Sequence, residues 1–106
     1  MNNEFGIYDN TFNLILDTLQ KEPKVEKAAI YGSRAMGNYR TGSDIDIALF
    51  GDEVDHEIVS KIHFILNEEL PIPYFVDVLS MNDLKNESLR KHIIREGKVF
   101  YERTIK

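Results

Sequence analysis

Asp44 and Asp46 stand one residue apart in Ser43-Asp-Ile-Asp-Ile-Ala-Leu-Phe50, and Asp77 lies inside Tyr74-Phe-Val-Asp-Val-Leu79, a run that is otherwise apolar. On an extended chain residues two apart share a face, which sets the first two acids ~7 Å apart at the backbone, close enough to share a cation cluster. Ionised acids crowded together without a counter-ion raise one another's pKa and cost stability; a divalent cation removes that conflict. Carboxylate oxygens without His or Cys favour Mg2+ or Mn2+, and Mg2+ is usually held by one or two carboxylates together with substrate phosphate oxygens. The acids therefore point to a phosphate-bearing substrate. Gly32-Ser33 supplies the matching half: a glycine where a strand ends lets backbone approach a ligand, and a turn of helix over Ser33 to Met36 turns amides toward an anion. The Ser33 hydroxyl adds a donor, and Arg34 either clamps a phosphate or points to solvent. Ser43 reads first as a turn residue or strand cap and second as a ligand. Taken singly, Asp44 is an ordinary strand-edge acid and Asp77 an ordinary salt-bridge partner; the set, with Gly32-Ser33, is what points to a metal.

The elements that must position these groups follow from periodicity. Phe12, Ile15, Leu16 and Leu19 recur at helical spacing after a cap at Asp9 or Asn10, and Pro23 stops the pattern. Val25 to Tyr31 reads as a strand whose second half is apolar enough for burial on both faces. Gly32 to Ser43 is a turn-rich stretch too long for a tight hairpin. Asp44 to Phe50 alternates into an acidic face and an apolar face. Val54, Ile58, Val59, Ile62, Ile65 and Leu66 make a second helix that Pro71-Ile-Pro73 ends. Tyr74 to Leu79 is a third strand. Ser80 with Asp83 resembles a capping box and opens a helix running to Gly97, after which Lys98 to Tyr101 adds a short last strand. The order predicts an α/β (α+β) fold, a small mixed sheet covered by helices on one side, in one domain over residues 1–106.

Competing motifs fail. Gly32 to Gly37 has the spacing of a P-loop, but Asn38-Tyr39 stands where Lys and Ser or Thr are needed. A calcium loop starting at Asp44 would need Gly where Leu49 stands. His56, His63 and His92 fall on helices without a paired His at ligand spacing, which makes them surface or packing residues. Tyr31 and Tyr39 flank the loop, where a ring could stack on a base, although Tyr31 reads as core. Thirteen basic against eighteen acidic residues give a net charge of −5, which argues against nucleic acid as a partner, the mildly basic region of Lys85, Arg90, Lys91, Arg95 and Lys98 notwithstanding. The absence of cysteine excludes a thiol nucleophile, a disulfide framework and Cys-type zinc sites. With no apolar run of ~18 residues and no export signal in MNNEFGIYDN, a cytoplasmic protein without a membrane partner is expected.

The segment Gly32-Ser-Arg-Ala-Met-Gly-Asn-Tyr-Arg-Thr-Gly-Ser-Asp-Ile-Asp46 resembles the GS-x(10)-D-x-D signature of the polymerase-beta-like nucleotidyltransferase superfamily in its compact form, the minimal nucleotidyltransferases. The resemblance covers nearly the whole chain, Asp77 included. It implies a nucleotidyltransferase-like fold, ATP as substrate and two Mg2+ ions, with Mn2+ as a substitute. Asp44 and Asp46 would bridge the metals, Asp77 would bind the catalytic ion and help activate a hydroxyl, and Gly32, Ser33, Arg34 and Ser43 would hold the nucleotide. The implied chemistry is in-line attack on the α-phosphate with pyrophosphate leaving and no covalent enzyme intermediate. Larger relatives carry a further domain for the acceptor, so here the acceptor is expected to bring its own surface. Stand-alone minimal members resemble antitoxins that move AMP onto a tyrosine of a HEPN ribonuclease toxin, in a hetero-oligomer. The alternatives are a non-catalytic antitoxin acting by occlusion, and nucleotidyl transfer to RNA or a small molecule.

Overall fold

The computed structural model describes residues 3–40 and 42–103. The chain runs α1 (Asp9–Gln20), β1 (Lys27–Tyr31), α2 (Ser33–Met36), β2 (Ile45–Phe50), α3 (His56–Phe64), β3 (Val76–Ser80), α4 (Glu87–Glu96) and β4 (Lys98–Glu102), with a π-helical turn, Ile65–Glu69, extending α3. The strands form one mixed sheet in the order β3-β2-β1-β4. β1 is antiparallel to both β2 and β4, and β2 is parallel to β3 through the α3 crossover.

Alternation decides what each face of the sheet holds. Ala28 and Ile30 of β1, Ile45, Ile47 and Leu49 of β2, and Val76 and Val78 of β3 turn to one side, where they meet Ile15 and Leu19 of α1, Ile58 and Ile62 of α3, and Leu66. Each large aliphatic side chain buried this way contributes about 1.5–3 kcal/mol of transfer free energy, and this face is the main core. Tyr31, Ala48 and Leu79 turn to the other side and pack against Met81, Leu89 and Ile93. The sheet is thus covered on both faces rather than on one. The second face carries enough apolar surface between its acids to require α4 as a lid, while the end that bears Asp46 and Asp77 stays at the rim.

Two expected helix starts differ from the structure. The N-cap of α1 is Tyr8, which makes no side-chain capping bond, and Asp9 lies in the first turn, where its charge meets the positive helix end. Ser80 does not open α4. It ends β3, buried, and its Oγ donates to the Val54 carbonyl at 2.8 Å while accepting from the Asn82 amide at 3.2 Å. With the Ser80 oxygen drawn into the interior, the chain turns, and α4 starts at Glu87 under Asn86, whose side chain accepts from the Leu89 amide. Among the described residues no helix is long and apolar enough to cross a membrane.

Candidate active site

Strand register places the acids. Tyr31 at the end of β1 pairs with Asp46 near the start of β2, and Asp46 pairs with Asp77 at the second position of β3. Paired residues of adjacent strands put their side chains on the same face, so Tyr31, Asp46 and Asp77 form a row across three strands. Asp44 precedes β2 by one residue and stands two positions before Asp46. Asp46 is half-buried, whereas Asp44 and Asp77 are exposed.

The electrostatics couple the row. The Asp46 carboxyl is held above its ordinary range, first by burial, then by the charges of Asp77 and Asp44, with Arg34 acting weakly in the other direction. Burial, and then Asp46 and Asp77, push the Tyr31 phenol well above its usual value, so it keeps its proton throughout the physiological range. Mutual repulsion of this kind marks a place where a cation would be welcome. Among the described residues no three acid or imidazole side chains already stand at the spacing of a closed metal cage. The donor chemistry nevertheless fits a hard divalent ion: Asp44, Asp46 and Asp77 offer carboxylate oxygens and no imidazole or thiolate.

Gly32 closes the row on the other side. Its φ of 76° and ψ of −152° lie in a region essentially reserved for glycine, and a β-carbon there would sit 2.8 Å from Asp46 Oδ2. This turn therefore brings bare backbone against the central carboxylate. The Gly32 amide is already engaged, donating to His92 Nε2 of α4 at 3.1 Å. Any anion cradle starts at Ser33, which is half-buried at the first position of α2. His92, read from the sequence as a surface or packing residue, is bonded to this turn; only its spacing within the α4 pattern was visible, not its register against β1.

Arg34 is neither at the acids as a clamp nor in solvent. It is 2% exposed, sandwiched between the Tyr39 and Tyr74 rings at 5.0 and 4.9 Å. Nη1 donates to the Phe5 and Gly6 carbonyls, and Nε and Nη2 donate to the Ser43 carbonyl, at distances between 2.7 and 3.2 Å. A guanidinium so committed fastens both ends of the Gly32–Ser43 loop region to the N-terminal turn. Ser43 belongs to the same frame: its Oγ accepts from the Arg40 amide at 2.8 Å, one residue before Asp44. Tyr39 spends its ring on Arg34, and Tyr31 is core, as read.

Asn67, in the π-helical turn, was not singled out by sequence reasoning. Its side-chain nitrogen donates to the His63 and Val76 carbonyls at 2.9 and 2.8 Å, and its Oδ1 accepts from the Val76 amide at 2.9 Å. It imitates a neighbouring strand beside the residue that precedes Asp77.

Residues 13–106 match the family model described as polymerase beta, nucleotidyltransferase. A protein of Methanocaldococcus jannaschii assigned as a protein adenylyltransferase is 31% identical over 80 residues, which span 74% of this chain and 80% of the relative. Among solved structures, a chain of a toxin–antitoxin complex crystallised with AMP-PNP superposes with a TM-score of 0.69 at 21% identity, covering 92% of this chain and 75% of that one. A complex of tri-AMPylated Shewanella oneidensis HEPN toxin with its MNT antitoxin gives a TM-score of 0.66 at 21% identity, covering 89% and 71%. These likenesses establish the same fold.

Proposed function

We propose, on the premise that the chain belongs to the polymerase beta nucleotidyltransferase family, that this nucleotidyltransferase moves AMP from ATP to a tyrosine hydroxyl of a HEPN-type ribonuclease toxin and so acts as its antitoxin. The observation that carries the reading is the row of Asp46 and Asp77 on paired strands, with Asp44 two residues away and the Gly32 turn against the central acid. The relative assigned as a protein adenylyltransferase supports a protein acceptor, and the toxin–antitoxin complexes of the same fold support a toxin as that protein.

The reaction joins the acceptor oxygen to the α-phosphorus, its proton passing to the Asp77 carboxylate, and breaks the α–β phosphoanhydride, with pyrophosphate leaving opposite the attack. Asp44, Asp46 and Asp77 would hold two magnesium ions, which when bound stabilise the entering and leaving oxygens. Asp77, the exposed acid on edge strand β3, is open to an approaching hydroxyl. Asp46, half-buried at the centre of the row, faces both neighbours. Ser33 offers a hydroxyl and an amide to the phosphate chain at the turn. Tyr31, kept protonated, brings a neutral phenol beside the acids rather than another negative charge.

The test incubates the protein with labelled ATP, Mg2+ and its toxin partner, and compares wild type with the Asp44→Asn/Asp46→Asn double variant. Label on the toxin with wild type and a loss of 1000-fold or more in the variant is expected, consistent with charge stabilisation as the main source of catalysis. Label that persists in the variant refutes the metal assignment, and toxin neutralised without any label points to occlusion.

A further inference from the structure

Resting on that reading, we propose that His92 is the positioning residue of the phosphate-binding turn: its Nε2 accepts the Gly32 amide and holds the Gly32-Ser33 backbone open toward the acids. Gly32 has a conformation that glycine adopts freely and other residues do not, and a residue with that freedom needs surrounding structure to fix it in one geometry. The turn itself supplies little, since the α2 that follows is four residues long. The backbone bonds at its start are Met36 to Gly32 at 3.1 Å and Gly37 and Asn38 to Ser33 at 2.9 and 3.2 Å, and none restrains the Gly32 amide. That restraint comes from 60 residues away, through His92.

The imidazole is itself well placed for the task. Its ring meets the Tyr31 ring edge-on at 6.3 Å between centroids, and α4 is anchored to the sheet next door by the buried Ile93. Arg90, two residues earlier on α4, ties the helix to the Met81 and Leu84 carbonyls at 2.7 and 2.8 Å. His92 thus reaches from an anchored helix to the Gly32 turn. Accepting from Gly32 requires Nε2 to carry no proton, which places the ring proton on Nδ1. Occupation of the Gly32 amide also divides labour in the turn: Gly32 is fastened to the protein, and Ser33 is left for the nucleotide.

The experiment compares wild type with His92→Gln, whose Oε1 can reach the amide as Nε2 does, and His92→Phe, which keeps the ring on Tyr31 but has no acceptor. Hydrogen exchange at the Gly32 amide in the nucleotide-free protein reads the bond, and titration with MgATP reads its consequence. Faster Gly32 exchange and an about tenfold weaker MgATP affinity in His92→Phe, with both restored to within about twofold of wild type in His92→Gln, is the expected result. Should His92→Phe fail to fold, His92→Asn, whose shorter amide falls short of Gly32, serves in its place. Unchanged Gly32 exchange in the variant overturns the proposal, as does faster exchange with unchanged affinity. If wild type itself binds no MgATP, the nucleotide reading fails and the proposal with it, an outcome told apart from the others because it already appears without any substitution.

Discussion

At the scale of single residues, Gly32 and Gly37 separate two uses of glycine within one loop. Both have positive φ, 76° and 83°. A β-carbon on Gly37 would meet nothing within 4 Å, whereas one on Gly32 would stand 2.8 Å from Asp46 Oδ2. Gly37→Ala should therefore cost about 1 kcal/mol of stability, from the backbone conformation alone, and leave transfer near wild type. Gly32→Ala should cost about 1–3 kcal/mol for the same kind of strain and, in addition, displace the central acid and abolish transfer. Urea unfolding and a label-transfer assay on the pair check this; equal transfer by both variants would show that Asp46 is not held by the close approach. Arg34 teaches a related lesson. Its type and place beside Ser33 suggested a phosphate clamp, but a planar group with several donors serves equally well to gather carbonyls from Phe5, Gly6 and Ser43, and Tyr74, one of the two rings that enclose it, is remote in sequence.

Between elements, β3 has to be fixed at the sheet edge with Asp77 opposite Asp46, and β2 alone bonds only one side of it. Asn67 supplies part of the other side by offering a donor and an acceptor to Val76, and the π-helical turn, closed by the Leu70 amide on the Ile65 carbonyl at 3.1 Å, aims it there. Asn67→Ala orphans both polar groups of a fully buried residue and should lose about 2–4 kcal/mol. Asn67→Asp should be no better, since it keeps the bond from the Val76 amide but turns a carboxylate oxygen toward two carbonyls. Denaturant midpoints for the two variants decide the point: an Asp variant as stable as wild type would mean that only the acceptor matters. This element also marks how far the sequence could be read. Periods of two and of 3.6 revealed the strands, the helices and the acidic face of β2, because each is a local pattern. The pairing of Asp46 with Asp77, Asn67 against Val76 and His92 against Gly32 each depend on register between distant segments, and Ser80 misled because its capping oxygen found a buried carbonyl instead. The acids of the candidate site could therefore be picked out from local pattern, and the residues that support them could not.

For the molecule as a whole, the acidic row is a cost that a cation would offset. Asp46 binds its proton more tightly in the folded chain than in the unfolded one, so from the ordinary carboxylate range upward the folded state carries more protons, and stability falls as pH rises through the raised Asp46 value. Removing the charge without removing the shape should reverse the sign: Asp46→Asn should melt higher than wild type at pH 8 in the absence of divalent ions, with the difference shrinking toward pH 4 as Asp46 takes up its proton. Magnesium should act on wild type in the same direction. An ion that binds only the folded state at ten times its Kd adds about 1.4 kcal/mol. For a chain of this length that is a rise in Tm of roughly 5–10 °C. The rise should be larger at pH 8 than at pH 4, where the ion competes with a proton on the raised Asp46 carboxyl, and nearly absent in Asp46→Asn. The variant is also the control for the net charge of −5, because magnesium screening a negative surface would stabilise both proteins alike. Melting curves of the two proteins with and without Mg2+ at both pH values carry the comparison. An equal response in both would place the ion on the general surface and leave the acids of β2 and β3 without a metal to hold.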